Sequence, residues 1–218
     1  MTVIAYHTGT RMVKASEDMD VYYSMQDLKL RCNASITWHN GAAGLERLDT
    51  PGGELYVVGH GHAGGRIGAH GHPSVGARTL LRQLTEEGLP VNPANLITIY
   101  LHACATGASV RTNYCLWRKD PYAERFAAAL VDAGFNNFHV VGYAGFLNSS
   151  GQMCMSYHVQ NASKREFSGL EHRQGHNTDK EIVFLVKDGD YSKISGANWQ
   201  QFYNKRRKNS LLLDIRKV

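Results

Sequence analysis

Apolar positions along this chain fall into two spacings. Short unbroken apolar runs bounded by Gly and Pro mark buried strands. Glu54-Leu-Tyr-Val-Val58 lies between Pro51-Gly-Gly53 and Gly59, and Leu96-Ile-Thr-Ile-Tyr-Leu101 follows Pro93 and Asn95. Phe138–Tyr143 and Glu181–Lys187 read as two further core strands, and Val3–Tyr6 as a short one at the start. Val21–Met25 and Ile36–Trp38 are weaker strand expectations. Between the strong strands the spacing becomes helical. Ala77–Gly88 puts Leu80, Leu81 and Leu84 on one face and stops at Gly88; Tyr122–Ala133 starts at Pro121, turns Phe126, Ala127, Leu130 and Val131 inward and ends at Gly134.

Strands alternating with helices predict right-handed crossovers, hence an α/β fold with a mostly parallel central sheet and helices on both faces, a three-layer α/β/α sandwich. No boundary divides the chain, so residues 1–218 read as one domain with a core over about 54–147. Asn148–Lys180, richer in Ser, Asn, Gly and His, reads as an insertion, a hairpin or a substrate-contacting loop, and residues 197–208 as a basic carboxyl-terminal helix.

Composition narrows the classes. Charged residues make up 20% and Pro only 5 of 218 residues, which excludes a disordered chain. The net charge of +5 is concentrated in Lys205-Arg206-Arg207-Lys208 and in Arg216 and Lys217, either a solvated face or a polyanion site. No aromatics interleave these charges, so nucleic acid is not an expected partner. No apolar run reaches the roughly 18 residues of a membrane span, and the start lacks the pattern of a signal peptide. Cys32, Cys104, Cys115 and Cys154 are scattered, without a C-x-x-C pair; a reducing compartment such as the cytoplasm is expected, with each thiol available for chemistry.

Ligands and reacting groups in parallel sheets collect beyond the carboxyl ends of the strands. Here one strand runs into Gly59-His60-Gly61-His62 and another into His102-Ala103-Cys104-Ala105-Thr106-Gly107. If the two are neighbours, an imidazole and a thiol share one rim. That is what a nucleophilic cysteine needs, because a free thiol is mostly protonated at neutral pH and an adjacent imidazole takes its proton. The backbone amides of Gly61 and Cys104 are candidates for an oxyanion hole.

A strand ending in His-Gly, then a helix, then a strand ending in Ala-Cys-x-x-Gly resembles the caspase-like cysteine peptidases. These include caspases, legumain, clostripain and gingipain relatives, separase, and the self-processing protease domains of bacterial toxins. The resemblance rests on Leu55–Gly61 and Ile97–Gly107. It implies a caspase-like sandwich and a cysteine endopeptidase with Cys104 as nucleophile and His60 as general acid/base, with Gly61 and Cys104 amides as the oxyanion hole. No cofactor would be required. The pocket for the residue before the scissile bond would involve Gly142, Tyr143 and Gly145. The absence of acidic or basic residues there favours small or apolar side chains, unless Asp120, Glu124 or Arg111 enters from a loop. Similar toxin domains imply a protein or peptide substrate, self-processing, delivery into another cell as an effector, and activation by inositol hexakisphosphate or another polyanion, for which Lys205–Lys208, Lys187 and Lys193 are the candidates.

Other readings stay open. His62 is an alternative base. His60-x-His62 and His70-x-His72 have metal-ligand spacing and would suit a zinc-dependent hydrolase, although no Asp or Glu lies between His60 and His72 to complete such a site. A catalytically inactive caspase-like binding module is the non-enzymatic alternative. His102 is expected as a hydrogen-bonded core histidine, and Cys32, Cys115 and Cys154 as packing residues.

Overall fold

A computed structural model describes residues 1–62, 65–104, 106–107, 110–111, 118–143, 146–147, 157–159, 171–173, 181–194 and 198. The central sheet contains β1 (Val3–His7), β2 (Ser35–Trp38), β3 (Glu54–Val58), β6 (Ile97–His102), β9 (Phe138–Tyr143), β13 (Glu181–Lys187) and β14 (Asp190–Ile194), in the order β14-β13-β9-β6-β3-β1-β2. β2, β1, β3, β6 and β9 are mutually parallel, whereas β13 runs antiparallel to both β9 and β14. The expected mostly parallel α/β/α sandwich is present.

The pleat sends alternate residues of each strand to opposite faces. Ile4, Tyr6, Leu55, Val57, Ile97, Ile99, Leu101, Phe138 and Val140 pack against α2 (Ala77–Glu86) and α3 (Tyr122–Asp132), whose Leu80, Leu84, Phe126 and Leu130 are fully buried. Each such leucine contributes about 1.5–3 kcal/mol by leaving water. Val3, Ala5, Tyr56, Val58 and Tyr100 face the other layer, which holds α1 (Met19–Cys32). α1 corrects the strand expected over Val21–Met25. Val21, Met25 and Leu28 are buried at helical spacing, and the Asp18 carboxylate caps the first turn by accepting from the Val21 amide at 3.1 Å.

Smaller elements sit at the rim. β4 (His60–His62) and β5 (Arg66–Gly68) form a hairpin, as do β7 (Val110–Arg111) and β8 (Arg118–Lys119). β10 (Phe146–Leu147), β11 (Tyr157–Val159) and β12 (Glu171–Arg173) pair as an antiparallel three-stranded sheet, so strands do form within the segment read as an insertion or hairpin. Of the expected basic helix only Asn198 lies within the described residues, and it is helical. Lys205–Lys208, Arg216, Lys217, Gly145, Cys115 and Cys154 lie outside them. Among the described residues, no helix is long and apolar enough to cross a membrane.

Candidate active site

Chain winding reverses between β1 and β3. From β1 the chain passes through α1 on one face to β2 at one side; from β3 it passes through α2 to β6 and then through α3 to β9 on the other side, with both helices on the opposite face. Loops leaving two adjacent strands in opposite directions open a crevice beyond their carboxyl ends. His7 and Val58 are paired at those ends. Val58 is followed by Gly59 and His60, whereas the loop after β1 leads to Asp18 at the start of α1.

His60 and Asp18 meet in this crevice. His60 Nε2 lies 3.1 Å from Asp18 Oδ1 and 3.0 Å from Oδ2. The Asp18 side chain is 2% exposed, while that of His60 is 39% exposed. Burial by itself raises the carboxyl pKa, but the backbone amides of His70 and Val21 and the His60 imidazole outweigh it and hold Asp18 below the ordinary carboxylate range. An ionised carboxylate only accepts hydrogen bonds, so Nε2 carries the proton in a neutral His60 ring and Nδ1 is left as the basic nitrogen.

The Cys104 turn lies beside the His60 hairpin. Val58 pairs with His102, and the Gly59 amide donates to the His102 carbonyl at 3.3 Å. Gly61 is in backbone contact with the turn: a Cβ there would run into the Cys104 carbonyl oxygen and lie 3.1 Å from the Cys104 nitrogen. Ile67, opposite Gly61 in the hairpin, exchanges both backbone bonds with Val75, at 3.0 and 2.8 Å. Gly61 and Ile67 are therefore a non-hydrogen-bonded pair, and the Gly61 amide points away from β5. Cys104 is a half-buried thiol.

Thr106 pins this turn from behind. Its buried hydroxyl lies 3.1 Å from the carbonyls of both Leu101 and Ala103 and accepts from the Tyr143 amide at 3.0 Å. The Gly107 amide donates to the Tyr143 carbonyl at 2.8 Å. Gly107 and Gly142 approach so closely that a Cβ on Gly142 would stand 2.6 Å from Ala123 Cβ and 2.9 Å from Gly107 N. The hairpin is steadied from α3, where Arg125 donates to the Gly65 carbonyl at 3.3 Å and stacks over the Tyr122 ring at 5.5 Å.

The remaining histidines divide into two groups. His70 places its ring centroid 4.9 Å from that of His60. His72 instead meets the fully buried His7 edge-on at 4.8 Å, with its Nε2 3.9 Å from Glu17. Burial, reinforced by His72, lowers the His7 pKa to about 4 despite the opposing charge of Asp18. Of the four histidines read as metal-spaced, His60 and His70 thus come together with Asp18, while His72 pairs elsewhere. The His62 side chain lies outside the described residues.

Gly61 meets the Cys104 turn, with His60 the residue before it in the same hairpin. Gly142 and Tyr143 are buried behind the Cys104 turn, and His102 is buried with its ring edge-on to Tyr56 and Tyr143, at 6.2 and 6.1 Å. Asp18, Thr106 and Arg125 had no place in the sequence reading of the site. Compared with family models, curated proteins and solved structures, the chain matches none of them.

Proposed function

We propose that this chain is a caspase-like cysteine endopeptidase in which Cys104, His60 and Asp18 act as nucleophile, base and orienting carboxylate. The observation that carries the reading is the backbone contact between Gly61 and the Cys104 turn, made while His60 is anchored to Asp18. In this scheme His60 Nδ1 accepts the thiol proton as Cys104 Sγ attacks the peptide carbonyl carbon. The oxyanion is received by the Gly61 and Cys104 amides. Collapse breaks the C–N bond, the imidazolium gives its proton to the departing amine, and water activated by His60 hydrolyses the thioester. The segment Val140–Phe146 carries no acidic or basic side chain, which favours small or apolar residues before the cleaved bond.

Cleavage of a peptide library by the purified protein, with Cys104→Ala and His60→Ala as comparisons, tests this. Both variants are expected to lose cleavage while keeping the wild-type circular dichroism, and iodoacetamide is expected to label Cys104 before the other thiols. Cleavage that survives Cys104→Ala refutes the proposal.

A further inference from the structure

The zinc alternative read from the sequence lacks a carboxylate between His60 and His72; the fold supplies one from a distant segment. Asp18, His60 and His70 each present one ligand atom, and these atoms lie within 4.8 Å of one another. They come from three separate places: the cap of α1, the start of β4 and the turn after β5. Asp18 is buried, His60 half-exposed and His70 exposed, so the cluster has a floor and an open side through which an ion can enter with its remaining waters.

Two imidazoles and one carboxylate suit zinc-class divalent ions rather than magnesium or calcium, which prefer oxygen ligands. Zinc bonds of about 2.0–2.2 Å in tetrahedral geometry put ligand atoms roughly 3.3 Å apart. The 3.0 Å separation of His60 Nε2 and Asp18 Oδ2 needs to open only slightly. Closing the third side requires a rotation of the His70 ring, and that ring is exposed and free of regular structure. The Asp18 carboxylate is already held by the His70 and Val21 amides, at 2.8 and 3.1 Å, which orients this ligand before an ion arrives.

We infer that Asp18, His60 and His70 form a binding site for a zinc-class divalent ion, and that its occupancy switches off the peptidase. The second half rests on the function proposed above. The reason lies in the His60 tautomer. In the metal-free ring Nε2 bears the proton and bonds to Asp18, leaving the Nδ1 lone pair for the thiol proton. An ion on Nε2 displaces that proton to Nδ1, with no net release from the ring. Nδ1 then has no lone pair to accept from Cys104, and the thiolate does not form.

The test uses full-length protein freed of metal by a chelator, then titrated with Co2+ for its visible ligand-field bands and with Zn2+ for its effect on peptide cleavage. Each protein's chelator-treated rate serves as its own reference. Wild type is expected to bind one equivalent of Co2+ and to lose at least about tenfold in rate with Zn2+, reversibly on chelation. His70→Ala, which keeps the backbone amide to Asp18, is expected to weaken both binding and inhibition by about tenfold or more. Cys104→Ser is expected to bind Co2+ as wild type does. No Co2+ bands at high micromolar metal overturn the site, as does binding that survives His70→Ala but disappears in Cys104→Ser. Activation by Zn2+ overturns the inhibitory role and favours a metal hydrolase. Protein that binds Co2+ through His70 yet never cleaves peptide refutes the peptidase reading and the inhibition while confirming the metal site.

Discussion

Gly61 lies so close to Cys104 that no side chain fits between them: a Cβ on Gly61 would run into the Cys104 carbonyl oxygen. Gly61→Ala must therefore push the hairpin and the Cys104 turn apart. Overpacking of this kind costs about 1–3 kcal/mol, and a displaced oxyanion donor costs about 10²–10³ in kcat. Thermal melts and peptide-cleavage kinetics on the same preparation check both. Wild-type kcat with lowered stability would remove the Gly61 amide from the oxyanion hole.

Asp18 has two roles that substitution separates. Asn can still cap α1 through the Val21 amide but carries no charge for His60. Asp18→Asn turns its NH2 towards the His70 amide that now bonds to Oδ2, so it is expected to lose about 1–3 kcal/mol of stability for the stranded donor, and to fall by up to about 10⁴ in kcat, as when an orienting carboxylate is neutralised in a hydrolytic triad. Asp18→Ala loses the cap as well, about 0.5–2 kcal/mol more. Denaturant melts and kcat together decide; full activity in Asp18→Asn would reduce the residue to a helix cap.

Thr106 joins the Cys104 turn to β9 through one hydroxyl. Thr106→Val keeps the shape and strands the Tyr143 amide, a loss of about 1–3 kcal/mol. Cleavage and the rate of Cys104 alkylation should both fall, and Thr106→Ser, which restores the hydroxyl, should recover most of each. If Val and Ser behave alike, the hydroxyl does not position the turn.

Acid should destabilise the fold through His7. Its pKa is about 4 in the folded protein against an ordinary 6.5, because burial disfavours the imidazolium. Below about pH 6.5 the unfolded chain takes up a proton that the folded one refuses, so stability is complete above 6.5 and declines as pH falls towards 4, by at most about 3 kcal/mol. His7→Gln removes this contribution. Urea melts of both proteins across that range should show the wild type losing more stability than the variant; parallel curves would mean that His7 titrates normally.

The strands β3, β6, β9 and β13 and the helices α2 and α3 were legible because each is an apolar run or stripe ended by Gly or Pro. α1 was not, because β-prone Val21, Tyr22 and Tyr23 are adjacent and exposed Met19, Tyr23 and Leu30 blur the stripe of Val21, Met25 and Leu28. β14 was not expected, although Asp188-Gly189 is a two-residue hairpin turn, which sets β14 antiparallel to β13. At the site, His60, Gly61 and Cys104 could be found because strand ends and glycines are local features. Asp18 could not: its link to His60 exists only because winding reverses between β1 and β3, and a cap residue looks the same in sequence whether or not anything lies beyond it.

That reversal distributes the site between two arms of the chain. Everything up to β2 winds to one side and carries Asp18; everything from β3 onward winds to the other and carries His60 and Cys104. The arms meet along the β1–β3 ladder, from Val3 opposite Glu54 to His7 opposite Val58. A single cut between Trp38 and Glu54 would leave Asp18 and His60 on separate fragments without touching either residue. Under the proposed mechanism the fragments are expected to be inactive apart and to regain cleavage as β1 re-pairs with β3, which makes this ladder a natural seam for a split, complementable form of the protein.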